Sequence, residues 1–178
     1  MVDRIDEIDV RILELLQERG RIKRNVIAEE VGLSLPSVSE RMRKLEERGV
    51  ITGYSAHLNP KRLHFDIAAF IRVRVDGSEN YAVFVENACS LPEVLEVHSI
   101  TGDGSHILKI RVRNTEALER LLFKIQRWAG VHGTLTSMVL STFKETFKLP
   151  VEPTELYHKD PDFDLPAISG SERVGIDK

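Results

Sequence analysis

At Asp66 the spacing of the apolar residues changes. Before it they recur every three or four positions; after it they alternate. A helical period followed by a period of two excludes a single all-helical or all-strand core. The chain therefore reads as an α+β protein with its helices first.

The helical part occupies residues 1–49. Ile5, Ile8, Ile12, Leu15 and Leu16 make one apolar helix face, with Asp3, Asp6 and Asp9 near its start, where carboxylates suit the helix dipole. Gly20 is placed just past its end. A short second helix buries Ile27, Ala28 and Val31 and stops at Gly32. Ser34 is a good N-cap for a third, Pro36 is tolerated in its first turn, and Val38, Met42 and Leu45 face inward before Gly49. Two helices joined through Gly32-Leu33-Ser34 have the tight turn of a helix-turn-helix. Residues 50–65 ("VITGYSAHLNP" and beyond) read as a wing or short strand and a linker.

Residues 66–149 read as β-α-β-β-α-β, a ferredoxin-like unit. In "IAAFIRVRV", Ala69, Ile71, Val73 and Val75 share one face, with Arg72 and Arg74 on the other. A helix over 79–90 carries Tyr81, Val85, Ala88 and Cys89 on its apolar side. "EVLEVHSIT" and "HILKIRVR" are strands, the second burying Leu108, Ile110 and Val112. The next helix is capped by Thr115 and buries Leu118, Leu121, Leu122, Ile125 and Trp128. "VHGTLTSMVLSTFK" makes a long last strand. Two helices cover one sheet face. The other face, with Phe70 and Ile100 among polar residues, predicts dimerisation through the sheet.

Residues 150–178 hold four prolines and seven acids without periodicity, which predicts a tail or an ordered wrap. Tyr157, Phe163 and Leu165 are its candidate anchors on a neighbouring subunit; its negative charge is the alternative role, a shield over basic surface.

The net charge of −3 carries no global signal for nucleic acid. Residues 1–65 hold twelve Lys/Arg against eleven Asp/Glu, so any nucleic-acid surface has to be local. The third helix supplies one. With Val38, Met42 and Leu45 inward, Ser37, Ser39, Arg41 and Arg43 are the candidates for base contact, and Lys44 and Arg48 for phosphates. Glu40 and Lys44 alternatively form a simple i, i+4 pair. A second basic run, Arg19, Arg21, Lys23 and Arg24, surrounds the start of the second helix, which lies against the DNA backbone in a docked helix-turn-helix. Its plain alternative is a solvated basic loop.

No apolar run reaches 18 residues, and Met1–Asp9 lacks the basic start and apolar stretch of a secretory signal. The one cysteine, Cys89, forms no internal disulfide and is read as a helix-packing thiol. These features predict a cytoplasmic location without a membrane partner. His98, His106 and His132 lack metal-ligand spacing, so neither metal nor cofactor is expected.

Taken together, "DEIDVRILELLQERGR", "AEEVGLSLPSVSERMRKLEERGVITGYSAHLNP" and "TGDGSHILKIRV" resemble the leucine-responsive/AsnC (feast/famine) transcription regulators over about residues 3–149. The resemblance implies a winged helix-turn-helix followed by a sensing and dimerisation domain, and double-stranded DNA as partner. It also implies dimers assembling toward octamers, nucleoid association, and an amino acid or related metabolite bound at sensor-domain interfaces. At Lys23 the family usually has a capping Ser or Thr. The resemblance places the effector at Gly102, Asp103, Gly104, Ser105 and His106, where backbone N–H groups suit a carboxylate and an acid suits an ammonium group. Gly102 and Asp103 match the family loop. Ser105 replaces a second acid and His106 an aromatic, so an amino-acid site, a different effector and a plain β-turn all stand. Two further readings of the architecture are a nucleoid-type DNA-wrapping protein and an enzyme like the siroheme decarboxylases, using His98 or His106. The first reading requires no catalytic residue.

Overall fold

The computed structural model describes residues 4–156. In chain order its elements are β1 (Arg4–Ile5), α1 (Glu7–Glu18), α2 (Arg24–Val31), α3 (Leu35–Glu47), β2 (Ile67–Val75), α4 (Tyr81–Cys89), β3 (Val94–Ser99), β4 (His106–Val112), α5 (Thr115–Gln126), β5 (Val131–Met138) and β6 (Thr154–Glu155). They belong to two compact units: residues 4–57 with 144–156, and residues 58–143.

The first unit is a three-helix fold around Ile12, Leu15, Ile27, Val38, Met42 and Leu45, all at most 4% exposed. Sequence dictates its helix limits. Asp6 caps α1 in a reciprocal capping box with Asp9. Ser34 caps α3 by accepting from the Ser37 N–H, with Pro36 in the first turn. Between α2 and α3 the chain reverses at Gly32 (φ 69°), a left-handed conformation that glycine adopts without a Cβ clash. Three expectations are corrected. Ile5 is not helical; it is buried in β1, which pairs with β6. Gly20 does not take a left-handed conformation, and Arg19 is the C-cap of α1. Residues 50–59 belong to no helix and have no ladder partner among the described residues, so the wing is not a strand.

The second unit is an antiparallel sheet of order β3-β4-β2-β5 with α4 and α5 packed on one face. The strict alternation of β2 and β4 decides which face: Ala69, Ile71, Val73, Leu108 and Ile110 are fully buried against Phe84, Ala88, Leu118, Leu121 and Ile125. Residues opposed across the ladders, such as Arg72, Ile107 and Leu135, lie on the open face. Phe70 and Leu135 leave 40% and 55% of their surface exposed there.

Here too the sequence reading needs adjustment. Phe84 anchors α4, whereas Cys89 and Tyr81 are exposed. Asn114, not Thr115, caps α5 by accepting from the Ala117 N–H at 2.9 Å. The last strand stops at Met138 instead of running to Lys144.

Beyond it, residues 144–156 return to the first unit, where Val151 and Leu156 pack on its core. Of the two readings for residues 150–178, a tail or an ordered wrap, the described part is a wrap. Tyr157, Phe163 and Leu165 lie outside the described residues.

Candidate nucleic-acid interface and effector loop

The outer side of α3 and the start of α2 carry every sequence-predicted DNA residue. Ser34, Ser37, Arg43, Lys44, Arg48, Arg21, Lys23 and Arg24 are exposed; Ser39 and Arg41 are half-buried. The cations divide into two groups.

Those of α3 have partners within the unit, Arg41, Arg43 and Lys44 as ion pairs and Arg48 through a backbone carbonyl. Arg41 donates to Asp9 at 2.7 Å and to Asp6 at 2.8 Å, across a recess of about 500 Å³ also lined by Ser37, Lys44 and Arg48. Burial of Asp6 opposes its ionisation, but the Asp9 N–H and Arg41 outweigh this, and its pKa falls below the ordinary value. Arg43 donates to Glu40 and Glu47, and its guanidinium holds the Glu40 pKa down at about 2. Lys44 lies 3.6 Å from Glu40, the pairing weighed from spacing alone. Arg48 donates to the Arg4 carbonyl at 3.4 Å. The Arg41 head, a candidate for base contact, turns back here onto the N-terminal turn of α1.

The α2 group is different. Arg21, Lys23 and Arg24 are exposed and form no ion pair among the described residues. Lys23 is the N-cap of α2 and makes no side-chain cap bond, so the first N–H groups of α2 lack the oxygen that Ser or Thr supplies. Unsatisfied N–H groups, the helix dipole and three free cations make this edge suited to phosphate.

In the second unit, the loop between β3 and β4 contains Gly102, Asp103, Gly104 and Ser105. Gly104 has φ 105°, and an added Cβ would sit 3.3 Å from the Val73 carbonyl oxygen, so no side chain fits easily. The N–H groups of Gly102, Asp103 and Gly104 make no hydrogen bond among the described residues. Asp103 accepts from Arg74 at 2.7 Å, beside a cleft of about 140 Å³ lined by Arg72, Gly104, Thr134 and Leu135.

Ser105 and His106 turn inward instead. The Ser105 hydroxyl accepts from Val75 N–H at 3.0 Å and donates to Val73 O at 3.2 Å, stitching the loop to β2. His106 is 1% exposed on the core face of β4, with Nδ1 2.9 Å from the Ser105 hydroxyl and its ring packed against Tyr81 and Phe84. Its Nε2 is buried without a hydrogen-bond partner among the described residues, and burial pushes its pKa down. These two residues thus lie beneath the loop, facing the strand and the core. The same parity that buries Leu108 and Ile110 pointed to His106.

Sequence reading missed Arg74 as the partner of Asp103, and Asp6 and Asp9 as holders of Arg41. The Asp6/Asp9 spacing was a signal, since a capping box places both carboxylates on one turn. Arg74 had none beyond strand parity. His98 pairs with Glu96 and His132 with Asp76; with His106 buried, none of the three histidines shares a site with another. Among the described residues no group of three or more His, Cys, Asp or Glu is placed to hold a metal ion, and no helix is long and apolar enough to cross a membrane.

A helix-turn-helix with a basic edge, followed by a ferredoxin-like domain with a glycine loop, matches known proteins along most of the chain. Residues 5–52 match the winged helix-turn-helix DNA-binding model, and residues 68–149 the Lrp/AsnC ligand binding domain. The HTH-type transcriptional regulator FL11 of Pyrococcus horikoshii is 39% identical over 148 residues, covering 83% of this chain and 97% of that protein. This chain belongs to the Lrp/AsnC family.

The leucine-responsive regulatory protein of Escherichia coli is 34% identical over 151 residues, covering 83% of this Lrp/AsnC chain and 92% of that one. Among solved structures, a transcriptional regulator of Neisseria meningitidis in complex with L-Met superposes with a TM-score of 0.78 at 30% identity, covering 82% and 96% of the two chains. This Lrp/AsnC protein is thus a transcriptional regulator with a helix-turn-helix DNA-binding domain and a ligand-binding domain.

Proposed function

We propose that the protein binds specific double-stranded DNA sites as a homo-oligomer and that an amino acid or related small metabolite modulates the binding. The unpaired cationic edge of Arg21, Lys23 and Arg24 beside α3 carries the DNA reading. In it α2 anchors phosphates, while Ser37, Ser39 and the α3 cations Arg43, Lys44 and Arg48 meet the groove. Ser34 stays a cap. Arg43 and Lys44 exchange exposed glutamates for DNA at small cost, because exposed ion pairs are weak.

The effector reading rests on the loop. The free N–H groups of Gly102, Asp103 and Gly104 suit a carboxylate, and Asp103 suits an ammonium group once released from Arg74. That the Neisseria protein was solved with L-Met supports an amino acid as the class to test first. The open sheet face, with Phe70 and Leu135 exposed, is the surface for a second copy. The protein works in the cytoplasm, on the nucleoid.

Purified protein mixed with sheared genomic DNA at about 0.15 M salt, where phosphate-only binding is weak, tests this by sequencing the bound fraction. A few sharply enriched pseudo-palindromic sites support a specific regulator. Broad enrichment favours a DNA-wrapping role, and no enrichment with or without added amino acids overturns the DNA reading.

A further inference from the structure

Residues 144–156 run along the first unit and are bonded to it at several points. Gln17 binds both sides of the Leu149 peptide, accepting from its N–H at 2.6 Å and donating to its carbonyl at 3.1 Å. Lys148 reaches Glu18 at 3.0 Å. Val151 and Leu156 then pack on the helical core. Thr154–Glu155 pair antiparallel with Arg4–Ile5, and among the described residues each of these strands is the other's sole partner.

This pairing leads directly to α3. Ile5, 4% exposed, immediately precedes Asp6. Asp6 caps α1 through the Asp9 N–H at 2.8 Å, and together the two carboxylates hold Arg41. A strand of two residues makes too few hydrogen bonds to order itself, so β1 depends on β6 for its position. The ligand-binding family match ends at residue 149, before Val151 and β6. Of this strap, Val151, Leu156 and β6 therefore lie outside the part matched by that family domain, whereas Lys148 and Leu149 lie inside it.

We infer that residues 151–156 position the DNA-reading helix: Val151, Leu156 and β6 fix β1, β1 fixes Asp6, and Asp6 with Asp9 fixes the Arg41 head at the edge of α3. None of the strap residues is required to touch DNA. The DNA-affinity readout rests on the function proposed above; the structural readout does not.

The test compares three chains: full length, one ending at Leu156 and one ending at Pro150. Amide exchange is followed at Asp9 and Val10, whose N–H groups bond Asp6. Affinity is measured on the strongest site selected from genomic DNA. The chain ending at Leu156 behaves as full length. The chain ending at Pro150 exchanges at least tenfold faster at Asp9 and Val10, with β2 and β4 unchanged, and binds DNA at least fivefold more weakly. In an Arg41→Ala background the same truncation changes affinity less than twofold, because coupled residues are not additive. A purely stabilising strap would instead lower affinity equally in both backgrounds.

If the chain ending at Pro150 does not fold, full-length Val151→Ser and Leu156→Ser variants are read the same way, with Val151→Ile restoring wild-type exchange. Unchanged exchange in the truncated or substituted chains overturns the inference. So does an affinity loss that persists in the Arg41→Ala background, or one already complete in the chain ending at Leu156. Failure of the full-length chain to bind any DNA counts against the proposed function, and the exchange rates then decide on the strap alone.

Discussion

The Arg41 guanidinium lies 2.7 Å from the carboxylate of Asp9, a side chain only 8% exposed. This pair fastens α3 to the start of α1. Arg41→Ala leaves Asp9 enclosed without its cation, so the helix-turn-helix unit should lose about 1–3 kcal/mol of stability. Denaturant unfolding followed by signals from α1 and α3 measures it. A loss below about 0.5 kcal/mol, the range of exposed ion pairs, would show that the pair does not fasten the helices.

Replacing Arg21, Lys23 and Arg24 together by Ala should weaken binding to all DNA sequences alike. The slope of log affinity against log salt should fall by about 2–3, roughly one per lost phosphate contact. Binding measured at several salt concentrations on specific and scrambled duplexes tests this. An unchanged slope would remove these residues from the interface.

Lys23→Ser should separate stability from binding. A serine hydroxyl caps α2 and adds about 0.5–1 kcal/mol. It also deletes one cation from the phosphate edge, so the more stable protein should bind DNA less tightly. Melting and binding measured on the same preparation check both signs.

His106 predicts a pH dependence of the ligand-binding unit. Burial lowers its pKa in the folded state, so the unfolded chain takes up the proton first as pH falls. The stability contributed by the neutral ring is therefore complete above the unfolded value near 6.5 and is lost progressively as pH falls below it toward the folded value. The melting temperature of this unit should drop between pH 7.5 and 5.5, and His106→Phe should flatten that drop. An equal drop in both proteins would assign the effect to other groups.

Gly104→Ala tests the loop. The side chain meets the Val73 carbonyl in a conformation rare for any other residue, at a cost of about 1–3 kcal/mol. Calorimetric titration with L-methionine should lose any heat of binding that the wild type shows. Retained binding would place the ligand elsewhere.

Much of this was legible in the sequence because it depends on local periodicity. The alternation of β2 and β4 assigned both faces of the sheet, and the third-helix stripe of Val38, Met42 and Leu45 is buried as its spacing required. The limits of reading were equally physical. Position on the outer face of α3 could not reveal that a long, flexible Arg41 side chain bends toward Asp6 and Asp9, since that contact joins residues 32 and 35 positions apart. Nor does any local signal mark β6, two exposed polar residues whose strand character comes wholly from pairing with β1. His106 was read both as the first residue of its strand and as part of the effector loop; the ladder with Val73 begins at His106 itself, which puts its ring on the buried face.

Because the chain leaves the helix-turn-helix unit after residue 57 and re-enters it at residue 144, the ligand-binding unit is topologically an insertion. Excising the DNA-binding part is therefore a splice, not a truncation. A fragment stopped at residue 57 omits Val151, Leu156 and the partner of β1. A chain with residues 58–143 replaced by a short glycine-serine bridge keeps them. A single protease cut in the irregular stretch at 52–59 would likewise leave the strap attached to α1, and the nicked protein should stay together until denatured.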